Sequence, residues 1–230
     1  MLVILSAGIA PGLAFLSYIY LKDQYSQEPI QSVFRTFMYG ALLTFPIMFI
    51  QHILRAEGIV SSPLGEAFFS AALLEEFFKW FVLFFIVVQS VKFDDPYDGI
   101  VYGASVSLGF ASVENILYLF NYGVSYAFGR ALLPVSSHAL LGVIMGYYIG
   151  KNLHSTPSRK IWVIFSLFIP IILHGTYDFI LVSNFLEWEY MMVPFMLFLW
   201  WLGMRKVKIA HLLTNKKEQY PVKKDSSFYQ

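Results

Sequence analysis

Residues 66–88 read EAFFSAALLEEFFKWFVLFFIVV, and this stretch sets the character of the whole chain. It is long enough to cross a lipid bilayer once, since a crossing takes roughly 20 mostly apolar residues in a helix. Glu75, Glu76 and Lys79 nevertheless lie near its middle. Ionisable side chains within a membrane span are costly and usually serve a function. The stretch therefore predicts a transmembrane helix that carries part of a functional site.

The composition of the 230-residue chain predicts that this helix has many neighbours of the same kind. Hydrophobic residues make up 57% of the chain and aromatic residues 19%, while only 13% are charged. A soluble domain is about one quarter charged, because its surface faces water. The soluble, disordered and nucleic-acid-binding classes are therefore excluded. The chain has no cysteine, so disulfides and thiolate metal sites are excluded as well.

Outward from this helix, the hydropathy pattern predicts about seven spans, with six and eight as the limits. The predicted spans are 2–20, 36–54, 66–88, 99–120, 131–150, 161–183 and 190–203. The seventh is short for a full crossing. The connections are too short for a soluble domain, so the expected fold class is an all-α, polytopic transmembrane helix bundle. Two units are expected, a transmembrane domain at 1–204 and a basic cytoplasmic tail at 205–230.

Lysine and arginine are distributed unevenly between the two sides of these spans. Thirteen of the 16 fall on one side, namely Lys22, Arg35, Lys92, Lys151, Arg159, Lys160 and seven residues of the tail. Only Arg55 and Arg130 fall on the other side, because Lys79 lies within a span. Positively charged flanks stay in the cytoplasm. The N-terminus is therefore expected outside the cell and the C-terminus in the cytoplasm.

Ionisable side chains also lie inside the later spans. Glu114 is in the fourth predicted span, His138 in the fifth, and His174 and Asp178 in the sixth. At 1.5 Å per residue, these side chains and Glu75 all lie roughly 8–14 Å below the outer surface. Four helices thus carry polar groups at one level, which predicts a single shared site in the outer half of the bilayer.

The spacing within each helix favours the same interpretation. Glu75 and Lys79 are four residues apart, so they share a helix face and can pair. His174 and Asp178 have the same spacing, which allows Asp178 to fix the tautomer of the imidazole. Glu75 and Glu76 are adjacent carboxylates in a medium of low dielectric constant, and one of them is expected to hold a proton. That asymmetry is what an acid–base pair requires.

Small residues recur at intervals of four in the fourth and fifth spans. They are Gly99, Gly103, Ser107 and Ala111 in one span and Gly142, Gly146 and Gly150 in the other. Small residues at this interval allow transmembrane helices to approach closely. We therefore expect these two helices to pack tightly and to turn Glu114 and His138 inward.

Two kinds of hydrolytic centre use such groups. In the first, a glutamate acts as general base on a water molecule and a histidine stabilises the oxyanion, without a metal. In the second, His138, His174 and one of the three glutamates Glu75, Glu76 and Glu114 hold a zinc ion. The sequence has no HExxH, so a metal has no local signature. We therefore expect no cofactor, and zinc is the alternative.

Other classes of function fit less well. A proton-coupled transporter or channel is the main alternative, because Glu and His relays inside spans also move protons. Transporters often contain internal inverted repeats, and the two halves of this chain show no convincing one. A non-catalytic scaffold leaves the buried charges unexplained. Ser136 and Ser137 adjoin His138, but adjacent residues do not face each other on a helix, which disfavours a serine nucleophile.

The motifs resemble those of a known family. Glu75-Glu76-Phe77-Phe78-Lys79 reads as EExxK, and Phe110 to Glu114 reads as FxxxE. With His138 and His174 on later helices, the ordered set resembles the PrsW family of membrane-embedded proteases over about residues 1–210. That family is distantly similar to the CAAX-processing and bacteriocin-immunity glutamate proteases.

The function that the resemblance implies is more specific than the one that the residues indicate by themselves. It implies a multi-pass protease of the cell membrane that makes the first, site-1 cut in a membrane-anchored anti-sigma factor, on the extracytoplasmic side. That cut leads to the release of an envelope-stress sigma factor. The resemblance further implies that Glu75 and Glu76 are an essential pair, one of them the base, and that His138 and His174 position the water or stabilise the oxyanion. Glu114 would also belong to the catalytic set and orient a histidine or the water. The supporting residues would be Lys79, Asp178 and Phe110.

Overall fold

The computed structural model describes residues 1–23, 26–154, 159–183 and 187–219. Over these residues the chain is helical and contains no strand. The expected all-α, polytopic class is confirmed. The helical segments, numbered here in chain order, are α1 at Leu2–Leu21, α2 at Ile30–Ala56, α3 at residues 63–90, α4 at Pro96–Tyr122, α5 at residues 124–154, α6 at Arg159–Val182 and α7 at Trp188–Gln219.

Five of these segments, α1, α2, α4, α5 and α6, are long and apolar enough to cross a membrane by length and composition. Together they support the predicted multi-pass membrane protein. The predicted seventh span forms the first half of α7. The predicted domain boundary at residue 204 falls inside this helix, which continues to Gln219, and residues 220–230 lie outside the described residues.

Helix α3 is continuous but not uniform. Ser62 caps its start by accepting a hydrogen bond from the amide of Gly65, and a proline occupies the first position. Two π-helical stretches, Glu66–Leu73 and Val82–Val87, flank an ordinary α-helical stretch at Leu74–Phe81. Wide π turns are uncommon and occur frequently at functional sites. The stretch between them holds the EExxK motif.

Helix α5 also changes its winding before it reaches the site. It begins as short 3₁₀ and α-helical turns at residues 124–130 and passes through a π-helical stretch at Ala131–Val135. It then continues as a regular α-helix over Ser136–His154. Pro134 lies in the π stretch and has no amide N–H to donate, which explains why the regular hydrogen-bond ladder is interrupted there.

Helix α4 is the centre of the bundle and is buried along most of its length. A Cβ built on Gly99 would collide with the carbonyl of Gly146, and one built on Gly103 would collide with the carbonyl of Gly142. The backbones of α4 and α5 therefore touch along the predicted small-residue seam. This contact holds Glu114 and His138, which lie above the seam, at a fixed separation.

A second seam joins α4 to α2. A Cβ on Gly40 would collide with the carbonyl of Val106, and one on Gly109 with the carbonyl of Phe37. Helix α4 thus makes close backbone contact with two neighbours, and Thr44 of α2 donates a hydrogen bond to the Phe110 carbonyl of α4 at 3.4 Å. These contacts place α2 beside the site as well.

Candidate active site

The side chains singled out in the sequence converge at one end of the bundle. Helix α3 supplies Glu75, Glu76 and Lys79, while α5 supplies His138 and α6 supplies His174. One potential ligand atom from each of the two glutamates and the two histidines lies within 4.8 Å of the others. All of these side chains are buried. The helices therefore build one compact polar centre inside an otherwise apolar bundle.

Lys79 lies at the middle of this centre. Its ammonium group donates to Glu76 Oε1 at 2.9 Å and to Glu75 Oε2 at 3.3 Å. The same nitrogen is 3.1 Å from His138 Nδ1. A lysine ammonium only donates, so Nδ1 of His138 must accept, and the ring proton of the neutral imidazole must then sit on Nε2. Lys79 therefore fixes one histidine as well as the two carboxylates.

His138 continues into a second set of contacts at its other ring nitrogen. Nε2 lies 3.1 Å from Glu114 Oε2, in the position to donate its proton. Arg130 donates from Nη2 to Glu114 Oε1 at 3.0 Å and from Nε to Asn115 Oδ1 at 2.9 Å. Asn115 in turn donates to the Gly8 carbonyl of α1 at 3.0 Å. The orientation of His138 is thus determined by a chain of contacts that reaches α1.

His174 lies between carboxylates of two helices. Its Nδ1 is 2.9 Å from Glu76 Oε1, and its Nε2 is 3.3 Å from Asp178 Oδ2 and 4.0 Å from Glu75 Oε2. Both ring nitrogens face carboxylate oxygens, so a proton is needed on each side of the ring to satisfy them. Asp178 contacts the imidazole from one turn further along the same helix.

The two adjacent glutamates have different surroundings. Glu75 is 8% exposed and lines the cavity described below, whereas Glu76 is fully buried behind it. Gln51 of α2 donates from Nε2 to Glu75 Oε1 at 3.1 Å. The second oxygen of Glu76, Oε2, is buried without a hydrogen-bond partner among the described residues. Glu75 therefore faces the cavity, while Glu76 faces the protein interior.

Aromatic and imidazole rings form one wall of the centre. The ring centroid of Phe110 lies 4.2 Å from the Lys79 ammonium and 5.6 Å from the His138 ring. The rings of His138 and His174 meet edge to face at 5.1 Å. A cation over an aromatic face is stabilised by the ring quadrupole, and more so when water is excluded. The Phe110 ring thus stabilises the Lys79 ammonium inside the centre.

A cavity of about 280 Å³ opens onto this centre. Polar side chains from α2 to α6 line it, namely Gln51, Arg55, Glu66, Ser70, Glu75, Glu114, Arg130, His138, His174, Tyr177 and Asp178. At its rim Arg55 and Glu66 approach to 3.6 Å, and both are well exposed. Its volume is close to the lower end of the range for small-molecule binding pockets.

Three residues of the centre were missed in the sequence, Gln51, Asn115 and Arg130. Gln51 and Asn115 lie within predicted spans. Their amide side chains carry no charge, so they do not stand out as buried charged groups do. Arg130 was assigned to the outer side, next to the fifth span, and its side chain is 12% exposed against Glu114. A polar amide within a span is a usable signal, because it too must find a partner in lipid.

The two serines beside His138 bond to the backbone of their own helix. Ser137 donates to the Pro134 carbonyl at 2.8 Å, and Ser136 donates to the Leu132 carbonyl. Hydroxyls engaged in this way with the preceding turn are common in helices. Neither hydroxyl is bonded to the imidazole, in agreement with the expectation against a serine nucleophile.

The chemistry of the donor set fits a divalent metal. Two imidazoles and two carboxylates are groups that zinc accepts. The centre contains four carboxylates and two basic side chains, namely Glu75, Glu76, Glu114, Asp178, Lys79 and Arg130. Two negative charges therefore remain to be balanced, either by protons or by a divalent ion. Glu75, Glu76, His138 and His174 are the residues that would hold the ion, and Lys79 would have to yield its central position.

The fold and the site define a helical membrane protein with a buried carboxylate–histidine centre open to a polar cavity. The family model described as PrsW family intramembrane metalloprotease matches residues 28–202. A relative from Geobacillus kaustophilus named Protease PrsW is 57% identical over 220 residues, which are 96% of this chain and 97% of that one. Relatives of the same name come from Bacillus subtilis, at 56% identity over 91% of this chain and 96% of the other, and from Clostridioides difficile, at 29% over 87% and 88%.

The chain belongs to the PrsW family of intramembrane proteases. No solved structure matches it significantly. The resemblance stated from the EExxK and FxxxE motifs is thereby confirmed, and so is the assignment as a peptidase embedded in the membrane. Because the family consists of proteases, its match also argues against the alternative of a proton-coupled transporter or channel. The family description includes a metal, whereas the sequence led us to expect none.

Proposed function

We propose that this peptidase makes the first cut in a membrane-anchored anti-sigma factor, on the extracytoplasmic side of the cell membrane, and thereby starts the release of an envelope-stress sigma factor. The observation that carries the proposal is the polar cavity, which reaches Glu75 from one end of the bundle. The positive-inside distribution of lysine and arginine supports an outward-facing cavity. The substrate class is supported by the family resemblance.

In the proposed mechanism Glu75 is the general base. It is the glutamate that lines the cavity, and both of its oxygens are held, one by Gln51 and the other by Lys79. Glu75 takes a proton from a water molecule, and the resulting hydroxide attacks the carbonyl carbon of the scissile peptide bond. The proton then passes from Glu75 to the leaving amine nitrogen as the C–N bond breaks.

The positively charged and proton-bearing groups around Glu75 stabilise the oxyanion of the tetrahedral intermediate. Lys79 and His174 are the nearest candidates, since both approach Glu75 Oε2, at 3.3 and 4.0 Å. Groups that are oriented before the reaction need no reorganisation when the charge develops. In this proposal Glu76 and Asp178 hold His174, while Arg130 holds Glu114, which in turn holds His138.

A metal-dependent form of the same reaction is the second candidate, favoured by the four clustered donors and by the family description. A bound divalent ion would polarise the carbonyl and lower the pKa of a bound water. The chain's own part would be to supply the donors from α3, α5 and α6. Zinc content of the purified protein, together with cleavage after chelation and after re-addition of zinc, distinguishes the two forms. Stoichiometric zinc with activity that is lost and restored would replace the metal-free form.

The central test is reconstitution of the full chain in lipid vesicles with a candidate anti-sigma substrate. We expect Glu75→Gln to reduce cleavage by at least about 1000-fold, since removal of a catalytic group has effects of this size. Glu57→Gln is the control, because Glu57 is an exposed glutamate after the end of α2 that does not line the cavity. Full cleavage by Glu75→Gln would contradict its role as base. If the wild-type protein cut another membrane protein but not this substrate, only the proposed substrate class would be contradicted.

A further inference from the structure

A cluster of basic and aromatic side chains lies at the opposite end of the bundle from the catalytic centre. Lys151 is 13 residues beyond His138 on α5, or roughly 20 Å along the helix axis at 1.5 Å per residue. Helix α6 contributes Trp162, and α7 contributes Arg205 and Lys206. The end of α5, the start of α6 and the middle of α7 therefore meet at a surface that the proposed peptidase mechanism does not use.

The two lysines of this cluster rest on shared aromatic rings. The Lys206 ammonium lies 4.7 Å from the ring centroid of Tyr147 and 4.6 Å from that of Tyr148, and it donates to the Tyr148 hydroxyl at 2.9 Å. The Lys151 ammonium lies 3.6 Å from the Trp162 ring and 5.9 Å from the Tyr147 ring. The rings of Tyr148 and Trp162 stack at 6.0 Å. The ammonium groups of Lys151 and Lys206 thus both lie near the ring of Tyr147.

No carboxylate in the described part of the chain forms an ion pair with Lys151, Arg205 or Lys206. Like charges that are brought together without a counter-charge repel each other. Contact with aromatic faces offsets only part of that cost. An anion bound between the helices would lower this repulsion.

Positive charge at this end of the spans is also the ordinary signal for membrane orientation. Orientation requires only that the charges lie near the surface, and Lys208, which is exposed on α7, meets that requirement. Lys151 and Lys206 are different because they are partly buried between helices. Basic pockets between transmembrane helices bind the phosphate-bearing head groups of acidic lipids.

We propose that Lys151 and Lys206, with Arg205 beside them, form a binding site for a phosphate group, supplied either by an anionic phospholipid or by a free phosphate. The two ammonium groups donate to the phosphoryl oxygens, and the rings of Trp162 and Tyr148 lie at the level of the lipid head groups. A ligand bound there connects α5, α6 and α7 at the end remote from the catalytic centre.

The test measures the melting temperature of the full-length protein, delipidated in a neutral detergent. One arm adds phosphatidylglycerol, a second adds phosphatidylcholine at the same mole fraction, and a third adds inorganic phosphate against sodium chloride of equal ionic strength. We expect phosphatidylglycerol or inorganic phosphate to raise the melting temperature by about 5 °C at saturation. A shift with phosphatidylglycerol identifies a lipid as the source of the phosphate group, and a shift with inorganic phosphate alone identifies a free phosphate. No shift with either, or an equal shift with phosphatidylcholine, would overturn the proposal.

Three variants connect the shift to the site. Lys151→Gln and Lys206→Gln should each reduce it by at least half, whereas Lys208→Gln, two residues beyond Lys206 on α7, should leave it unchanged. An equal reduction by Lys208→Gln would show that only the total positive charge matters and would overturn the proposal. Lys206→Gln loses the hydrogen bond to Tyr148, which can impair folding. Lys151 makes no side-chain hydrogen bond with the described residues, so Lys151→Gln tests the site without that complication.

Discussion

Glu75 and Glu76 are adjacent and chemically identical, yet the structure gives them different surroundings. Glu75 faces the cavity and is held by Gln51 and Lys79, whereas Glu76 is fully buried and is held by Lys79 and His174. One turn of an α-helix holds 3.6 residues, so neighbours point about 100° apart. This rotation is enough to direct one carboxylate to the cavity and the other to the network of buried side chains.

A prediction at the residue scale concerns Gln51, which no motif contains. We expect Gln51→Ala to reduce kcat by about 10- to 100-fold with little change in KM, because it leaves Glu75 in place without its orienting hydrogen bond. Steady-state cleavage in vesicles is the measurement. Gln31→Ala is the matched control, since Gln31 is exposed on the same helix. A loss of activity that came entirely from KM would contradict an orienting role.

A second prediction concerns Glu28, which precedes α2 and lies outside the spans. Burial raises the pKa of the Glu28 carboxyl above its usual range, and its oxygen accepts a hydrogen bond from the Tyr102 hydroxyl. The folded state therefore binds the proton more tightly than the unfolded state. This stabilisation is complete below the ordinary value of 4.5 and is lost as the pH rises through the raised pKa.

We therefore expect Glu28→Gln, which stays neutral, to be more stable than wild type at pH 8 and to differ little from it at pH 4. Melting temperatures in detergent across this range provide the measurement. Glu57→Gln is the control, because Glu57 is exposed after the end of α2. A constant difference between Glu28→Gln and wild type at every pH would contradict the raised pKa.

At the scale of elements, the position of the site depends on helices that touch through their backbones. Gly146 of α5 lies against the backbone of Gly99 of α4, and this seam continues to Gly103 and Gly142. Close packing transmits the position of one helix to the next without the freedom of long side chains. π-helical stretches precede both Glu75 and His138, and such stretches occur frequently at functional sites.

We expect Gly146→Ala to destabilise the protein by about 1–3 kcal/mol, because the added methyl group collides with the backbone of α4. Gly129→Ala is the matched control on the same helix, since a Cβ there meets no atom within 4 Å. Thermal unfolding and cleavage are measured in parallel. If Gly146→Ala were as stable and active as Gly129→Ala, the seam would not be the contact that positions the site.

At the scale of the whole molecule, the cavity opens at one end of the bundle and the basic cluster lies at the other. The proposed orientation places the cavity outside the cell, and the positive-inside distribution supports it. The chain contains no cysteine, so a single introduced cysteine reports one position without interference.

We expect Glu57→Cys to react with a membrane-impermeant thiol reagent added to intact cells, and Lys92→Cys to react only after the cells are opened. Both side chains lie in connections between helices, and Lys92 is well exposed. The same pair serves as its own control, because each position reports a different side. Labelling of Lys92→Cys alone in intact cells would invert the orientation and would contradict an extracytoplasmic cut.

Much of this site was open to prediction because lipid makes buried charge conspicuous. Glu114, His138 and His174 stand out in apolar segments, and the helical rise alone put them at one depth. Gln51 and Arg130 were not recognised, since an amide carries no charge and an arginine at a span end has an ordinary explanation. The expectation of no metal came from the missing HExxH, and a donor set assembled from three helices needs no local signature.

The sequence by itself determined that the chain crosses the membrane repeatedly, that its helices carry a glutamate–histidine set, and that two of them pack through small residues. These properties follow from local composition and spacing, because 20 apolar residues and an interval of four can be read along one helix. Only the tertiary structure decided that Glu75 faces the cavity and that Lys79 connects both glutamates to His138. Those contacts join residues as far apart as Glu76 and His174, 98 positions along the chain, and helix packing alone brings them together.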